Sequence, residues 1–525
     1  MASLDEEDDG TTNDRQPLVS AVSNPMLKKR NDNNNNGMDI DEAEIASPEG
    51  GAKEKERLRR LDVWRLENVA LPVFYFMLGF NLKLPFVAQR QYLRRILKAS
   101  PANQALVLSV IAQIPWQLKL FYAFLSDSVP IQGQRRRPYM FIGVIIFTIS
   151  WMLLGAIRPA PGIGWTSVLL FAGCFGMIMT DVMADTLVVE KVALERGKGI
   201  GSTQTLVWTL RFTGSFFGQL AGGWLMQYAK LSEQNIFLLQ GFTQVVTVFP
   251  LLFYLEDQIV DSVQDVRKQI DDIWLTIQDY RVNFLIFFMF IVGSTPNAGS
   301  AFTNFLLGPL KFTDEQYMYI GTVGIVCSAG GIWLYRQYFR NTNLRVFVFV
   351  ILLLSAALQL VPLILVSRLN LKWGISDFWF SIGDEVVVEF VGILVVMPML
   401  IVCAKVSPAN VEGTIYSFLT MSSNISMAIG ESFSALLTAG LGISVTNFRN
   451  LWLLIVISAI TSIIPGYFVQ LLPNTIEKTK RIKIMPGEEL EYKSFWAGIM
   501  ALILIGGGLF WSIVLSIAKI ASNNK

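Results

Sequence analysis

Apolar runs of about twenty residues recur along most of this 525-residue chain. A helix rises about 1.5 Å per residue, so each such run can cross a hydrocarbon layer about 30 Å thick. No other feature limits the fold as strongly. Only 16% of residues are charged and 52% are hydrophobic, too little charge to cover the surface of a soluble chain this long. The expected fold is all-α, in a polytopic membrane protein.

Twelve spans are predicted, at residues 66–88, 103–125, 138–157, 163–186, 202–228, 235–255, 283–308, 316–336, 344–366, 377–404, 412–440 and 449–472. A thirteenth apolar segment, 495–517, is either an extra span or a helix packed beside the bundle. Between the sixth and seventh spans Ile259, Val263, Val266, Ile270, Ile273 and Ile277 recur at threes and fours. That stripe predicts an amphipathic helix lying along the membrane or the bundle. The expected divisions are a polar tail (1–60), a six-helix half (61–256), the linker helix (257–281), a second six-helix half (282–473) and a last segment (474–525). The tail is acidic at "LDEEDDG" and holds the Asn tract "NDNNNNG", so disorder is expected there. Its acidic start does not suit a transit peptide, and no early apolar stretch resembles a signal peptide. "DRQPLV" loosely matches an acidic dileucine sorting signal.

Lys and Arg near span ends set the expected orientation. Arg57, Arg59, Arg60 and Arg65 precede the first span, and Arg135, Arg136 and Arg137 follow the second. Arg336, Arg340 and Arg345 follow the eighth, and Lys478, Lys480, Arg481 and Lys483 follow the twelfth. All fall on one side, taken as cytoplasmic together with the N-terminus. "RQYLRRILK" (90–98) places four cations on the other side, either to attract anions or because the first span ends elsewhere. A weak internal repeat pairs "GSTQTLVWTLRFTGSFFG" (201–218) with "GTIYSFLTMSSNISMAIG" (413–430). Two repeated six-span halves are the plan of a major-facilitator-type transporter, here with one additional C-terminal hydrophobic helix.

The net charge of +2 points to no acidic partner such as nucleic acid. With no histidine in the chain, a coupling proton can be carried only by Asp or Glu, and histidine metal sites are excluded. Cys174, Cys327 and Cys403 lie in apolar runs and read as packing residues. Neither a metal nor a cofactor is expected, and no nucleophile–base set suggests an enzyme.

Charges inside hydrocarbon are costly and usually face a cavity or a partner. The fourth span carries Asp181 and Asp185 on one helical face, the second carries Lys119 and the fifth Arg211. Gln204, Trp208 and Arg211 share one face, and Gln113, Trp116 and Lys119 form a slowly rotating stripe. If these faces meet, a cavity holds two carboxylates, two cations, two amides and two indoles. A planar, amide-bearing heterocycle suits it: an indole stacks on the ring, a carboxylate accepts its N–H donors, and the cations hold an acidic tail. One carboxylate can instead carry a proton, or the pairs can simply neutralise one another and fix packing. Asp185 is read as near the end of its span and partly solvated.

Asp127, facing Arg135, Arg136 and Arg137 across a tight loop, is read as a gate between the second and third spans, or else the arginines only fix topology. Glu412 begins the eleventh span, where a helix N-terminus favours an anion. Asp384 and Glu389 are candidates for an outward vestibule, and Glu431 for a second protonation site. Gly214, Gly218 and Gly222 recur every four residues, a spacing that permits close helix packing.

Four segments together resemble the folate–biopterin transporter family: "PWQLKLFYAFLSDSVPIQGQRRRPY", "DVMADTLVVE", "QTLVWTLRFTGSFFG" and "MPMLIVCAKVSPANVEGTIYSFLTMSSN". The resemblance covers about residues 64–472. It implies alternating access by a secondary transporter, with a folate or pterin as the small-molecule partner. Lys119, Asp127, Arg135, Arg136, Asp181, Asp185, Glu190, Gln204, Arg211 and Glu412 match positions typical of that family, and Glu190 joins the gating set. The expected protein is a monomer among membrane lipids, in the plasma membrane or an endomembrane such as the vacuole or lysosome. A carrier of S-adenosylmethionine or another metabolite, and a non-transporting receptor on the same fold, are the rival readings.

Overall fold

The structure, a computed structural model, describes residues 57–58, 61–66, 68–99, 107–108, 114–195, 199–253, 266–408, 411–444, 447–476 and 493–523. The readings placed on most of the tail, on Gln113 and on Ile259 and Val263 lie outside these residues. Residues Arg60–Lys525 form one compact unit.

The first helix, α1 (Ala70–Ile96), breaks its regular geometry near Pro85 and ends in a π-helical turn, Tyr92–Ile96. Proline removes one backbone donor and so loosens the helix there. The helix outruns the predicted end at 88, so Arg90, Arg94 and Arg95 sit on its last turns and not in a loop. Cations there complement the negative end of the helix dipole.

Next come α2 (Lys119–Ser128, entered by the turn Ile114–Gln117), α3 (Arg137–Ala156), α4 (Ile163–Leu194), α5 (Ser202–Gln227) and α6 (Glu233–Leu252). The linker helix is α7 (Val266–Ile277). After it run α8 (Tyr280–Leu307), α9 (Glu315–Phe339), α10 (Leu344–Val366), α11 (Asp377–Val406), α12 (Glu412–Gly440) and α13 (Leu451–Leu471). The chain ends in α14 (Phe495–Asn523).

Among the described residues nine helices have both the length and the hydropathy to cross a membrane: α1, α3, α4, α6, α8, α9, α10, α11 and α13. The 26-residue α5 and 29-residue α12 have the length but more polar sequences. Their polar groups turn toward other helices. Gln219 of α5, for example, donates to the Met318 carbonyl at 2.9 Å and to the Thr322 hydroxyl at 3.0 Å, both in α9.

Packing repeats between the two sets of helices. In the first set α1 packs on α5 and α3 on both α4 and α6; in the second, α8 packs on α12 and α10 on α11. The sets meet through the matching pairs α2–α12 and α5–α9, and α4 also contacts α11 and α12. The α1–α5 pair is held backbone to backbone. A Cβ added at Gly214, Gly218 or Gly222 would run into the carbonyls of Phe76, Phe80 or Leu84, and one at Gly79 into that of Arg211. The small-residue stripe is therefore a close-packing face.

Three sequence-based expectations need correction. α4 continues to Leu194 and not to 186, so Asp185 is far from the helix end and buried, at 6% exposure. After Asp185, Leu187, Val188, Val189 and Val192 pack into the core, which keeps the helix going. On α7, Ile270 faces out at 51% exposure, while Gln269, Thr276 and Ile277 are buried. There the docked face is chosen partly by a hydrogen bond, from the Ser128 hydroxyl to Gln269. Finally, the last helix runs past 517 to Asn523 and packs against α12, α8 and α7.

Candidate functional site

Lys119, Asp181, Asp185 and Arg211 meet. The Lys119 ammonium lies 2.7 Å from Asp181 Oδ2 and 3.1 Å from Asp185 Oδ2. Arg211 approaches Asp181 Oδ1 at 3.7 Å, an ion pair without a hydrogen bond. Two adjacent turns of α4 present both carboxylates to the start of α2, and α5 brings the guanidinium from the side. Asp181 is fully buried and Lys119 is 4% exposed. Two charges of each sign cancel, as burial at this depth demands. The expected faces thus converge, but the carboxylates are clasped by cations rather than standing open in a water-filled chamber.

The indoles join the same cluster. Lys119 lies 5.1 Å from the Trp116 ring centre, and Arg211 lies 5.7 Å from Trp116 and 5.0 Å from Trp208. These are cation–π distances, so the two rings share the positive charge with the carboxylates. Gln204, fully buried, donates to the Tyr416 hydroxyl of α12 at 3.1 Å and links the two helix sets. Three buried atoms here have no hydrogen-bond partner among the described residues: Asp181 Oδ1, Gln204 Oε1 and Trp208 Nε1.

A second ionic knot lies at the end of the bundle where α2 finishes and α12 begins. Asp127 Oδ1 is 2.6 Å from the Arg136 guanidinium. Its other oxygen accepts the Thr414 backbone N–H at 2.9 Å and the Thr414 hydroxyl at 2.6 Å. Asp127 therefore crosses from one helix set to the other and caps the first turn of α12, where the helix dipole favours an anion. Arg136 also pairs with Glu190 at 3.4 Å and donates to the Ser126 hydroxyl at 2.8 Å. Arg135 and Glu412 are buried beside them, and Glu412 acts electrostatically on both arginines. Arg137 donates to the Leu252 carbonyl at 3.0 Å and ties α3 to α6.

Toward the opposite end Lys83 of α1 interacts electrostatically with Glu389 and Glu385 of α11. Ser328 of α9 donates to Glu389 at 2.8 Å. Glu431 does not join the Lys119 cluster. It is exposed, and it accepts from the Asn297 amide at 3.0 Å and the Ser300 hydroxyl at 3.3 Å. Asn297 lies within the interruption of α8 between Ser294 and Gly299, and Ser300 is on the segment that follows it. Glu431 therefore ties α12 to that interruption.

Comparison with known proteins fits this architecture. The model of the BT1 family matches residues 78–486. The chain belongs to the BT1 family. Residues from both helix sets of this BT1 chain fall within the match. A relative from Synechocystis sp., named "Folate-biopterin transporter", is 30% identical over 426 residues, 80% of the BT1 chain and 84% of the relative. "Folate transporter 1" of Plasmodium falciparum is 31% identical over 382 residues, 72% of one chain and 74% of the other. Among solved structures, the human organic anion transporter MFSD10 (TETRAN) superposes with a TM-score of 0.55 at 13% identity, over 78% of this chain and 99% of that one. The BT1 chain is thus a multi-pass integral membrane transport protein of the major facilitator fold.

Sequence reading missed several members of the BT1 site. The Tyr75 hydroxyl of α1 donates to Asp185 Oδ1 at 2.6 Å and is fully buried. Tyr416 and Thr414, from α12, complete the contacts of Gln204 and Asp127. A lone tyrosine within the apolar run "LPVFYFMLGF" was the one available sign for Tyr75. Lys191 donates to Asn68 at 2.8 Å, a further buried contact between α4 and the approach to α1.

Proposed function

We propose that the chain is a secondary active transporter of folate- or pterin-type metabolites, working by alternating access and coupled to protons. The observation that carries this reading is the buried set Lys119, Asp181, Asp185 and Arg211, with three polar atoms in or beside it that make no hydrogen bond among the described residues. A donor, Trp208 Nε1, and two acceptors, Asp181 Oδ1 and Gln204 Oε1, match a ring with an amide edge and an amino group. The indoles of Trp116 and Trp208 offer faces for such a ring, and Arg211 is the cation for an acidic tail. The names of the relatives supply the chemical class.

The cluster also supports the coupling step. Protonating Asp181 or Asp185 leaves Lys119 with one carboxylate in place of two, which frees the ammonium for an anionic ligand. The Asp127–Arg136–Thr414 knot serves as the gate that closes its end of the bundle, with Arg135, Glu190 and Glu412 in support. We place that end in the cytoplasm, with the N-terminal tail, and assign α1–α6 and α8–α13 to the two moving halves. The transporter would act as a monomer, in the plasma membrane or in an endomembrane.

Both carboxylates are already matched by cations. That balance favours an anionic or neutral ligand over a cation such as S-adenosylmethionine. The test is uptake into proteoliposomes of labelled folate, biopterin and S-adenosylmethionine, each with and without a pH gradient. Folate or biopterin accumulation driven by the gradient is expected. Accumulation of S-adenosylmethionine alone would replace the substrate assignment, and no accumulation of any of the three would favour a receptor.

A further inference from the structure

The two aspartates of the central cluster are not equivalent. Asp181 has two cations within ion-pair reach, Lys119 at 2.7 Å and Arg211 at 3.7 Å. Asp185 has one among the described residues, Lys119 at 3.1 Å, and its other oxygen accepts from the Tyr75 hydroxyl at 2.6 Å. A full positive charge outweighs a hydroxyl dipole where little water screens it. Neutralising Asp181 would leave Arg211 facing two indoles with no carboxylate in ion-pair range among the described residues. Neutralising Asp185 leaves both cations their contact with Asp181.

Access to water separates the two in the same direction. The Asp181 side chain is fully buried, whereas 8% of the Asp185 side chain is exposed. A proton can pass from water to Asp185 directly, and to Asp181 only through another side chain. The hydrogen bonds of Asp185 also suit a carboxyl group that changes state. Oδ2 meets Lys119 and Oδ1 meets Tyr75. With a proton on Oδ2, Oδ1 becomes the carbonyl oxygen of the acid and still accepts from Tyr75. Lys119 then turns wholly to Asp181, and the set gains one positive charge that a carboxylate on the ligand's tail offsets. The charged and titratable groups facing Asp185 are Asp181 on its own helix, Lys119 from α2, Tyr75 from α1, Arg211 from α5 and Tyr416 from α12.

We propose that Asp185 is the carboxylate that carries the coupled proton, with Asp181 as the fixed counter-ion of Lys119 and Arg211, and with Tyr75 as the positioning residue for Asp185. The proton comes from water onto Asp185 Oδ2 and returns to water from the same oxygen after the ligand leaves. The proposal rests on the proton-coupled folate and pterin reading above.

Two measurements on the purified full chain in lipid nanodiscs test it. The first needs no ligand: infrared difference spectra between alkaline and acidic buffers. Acidification should bring up the C=O stretch of a buried carboxylic acid that Asp185→Asn lacks and Asp181→Asn keeps. The second is the affinity for folate as a function of pH. Where binding takes up one proton, folate should bind the parent about tenfold tighter for each unit fall in pH. Asp185→Asn, an uncharged stand-in for the acid, should lose that slope. Tyr75→Phe should keep the slope and move it about one unit toward alkaline pH, because the anion has lost a hydrogen bond. A purely structural role for Tyr75 would weaken folate equally at every pH. Should Asp181→Asn fail to fold, Tyr75→Phe carries the comparison. An infrared band or a pH slope that survives in Asp185→Asn, or a Tyr75→Phe profile that does not move, overturns the assignment. Folate binding to the parent with no pH slope overturns the assignment and leaves the substrate reading standing. A parent that binds neither folate nor biopterin overturns the substrate reading, and the infrared band then decides for or against Asp185 by itself.

Discussion

Asp127 in α2 and Thr414 in α12 are joined twice, through the threonine backbone N–H at 2.9 Å and its hydroxyl at 2.6 Å. They lie 287 residues apart in sequence. The remaining carboxylate oxygen is held by Arg136, itself 2% exposed. Thr414→Val removes one bond and keeps the backbone donor, and should cost about 1 kcal/mol. Asp127→Asn takes the nearest negative charge away from the buried Arg136 guanidinium, which Glu190 approaches only to 3.4 Å, and should cost about 3 kcal/mol. Thermal unfolding in detergent should rank the two in that order, and equal shifts would mean that the charge adds nothing to the contact.

The Lys119 cluster makes a charge-balance prediction. Lys119→Met alone leaves two buried carboxylates facing Arg211 and should destabilise the protein by about 3–5 kcal/mol. Adding Asp185→Asn should return most of that stability, because one of each charge is then removed. Uptake should stay lost in both proteins. Recovery of uptake in the double variant would reduce the cluster to packing.

Asp181→Asn and Arg211→Gln should each abolish uptake in proteoliposomes while protein yield persists. Glu431→Gln, by contrast, should keep uptake near the parent level, since an amide can still hold Asn297 or Ser300. Loss of uptake in Glu431→Gln with an unchanged melting temperature would restore Glu431 as a coupling group.

The glycine stripe predicts a contrast within one protein. Gly214→Val must push the backbone of α1 away at Phe76 and should lower the yield of monodisperse protein, at a cost of about 1–3 kcal/mol. Gly330→Ala, with nothing within 4 Å of the new Cβ, should behave like the parent. Size-exclusion profiles after detergent extraction separate the two.

The spacing of intramembrane charges made the central cluster legible, because a charge in hydrocarbon has few tolerable surroundings. Asp181 and Asp185 on one face needed cations, and the chain offered Lys119 and Arg211 in neighbouring spans. Helix ends were less legible. The stretch after Asp185 in α4 and the stretch around Arg90 in α1 both mix charge with apolar residues, which reads as a loop; in α4 packing buries Lys191, while in α1 the arginines stay exposed and the buried Tyr92 and Leu93 hold the helix. Tyr75, Thr414 and Tyr416 were missed because hydroxyls in apolar helices carry no periodic mark. The partners of Glu431 were not legible either, because they come from an interruption in α8 that its own helix does not reveal.

Interlocked carbonyls and glycines leave α1 and α5 no room to slide past one another. They form a single lever, with Tyr75 on one arm and Arg211 on the other, both gripping the aspartates of α4. In the alternating-access cycle proposed above, a swing of that lever carries the Lys119–Asp181 cluster with it as a rigid piece. The strain of each such stroke then falls on the joints α2–α12 and α5–α9, the latter fastened by Gln219, where the two helix sets touch.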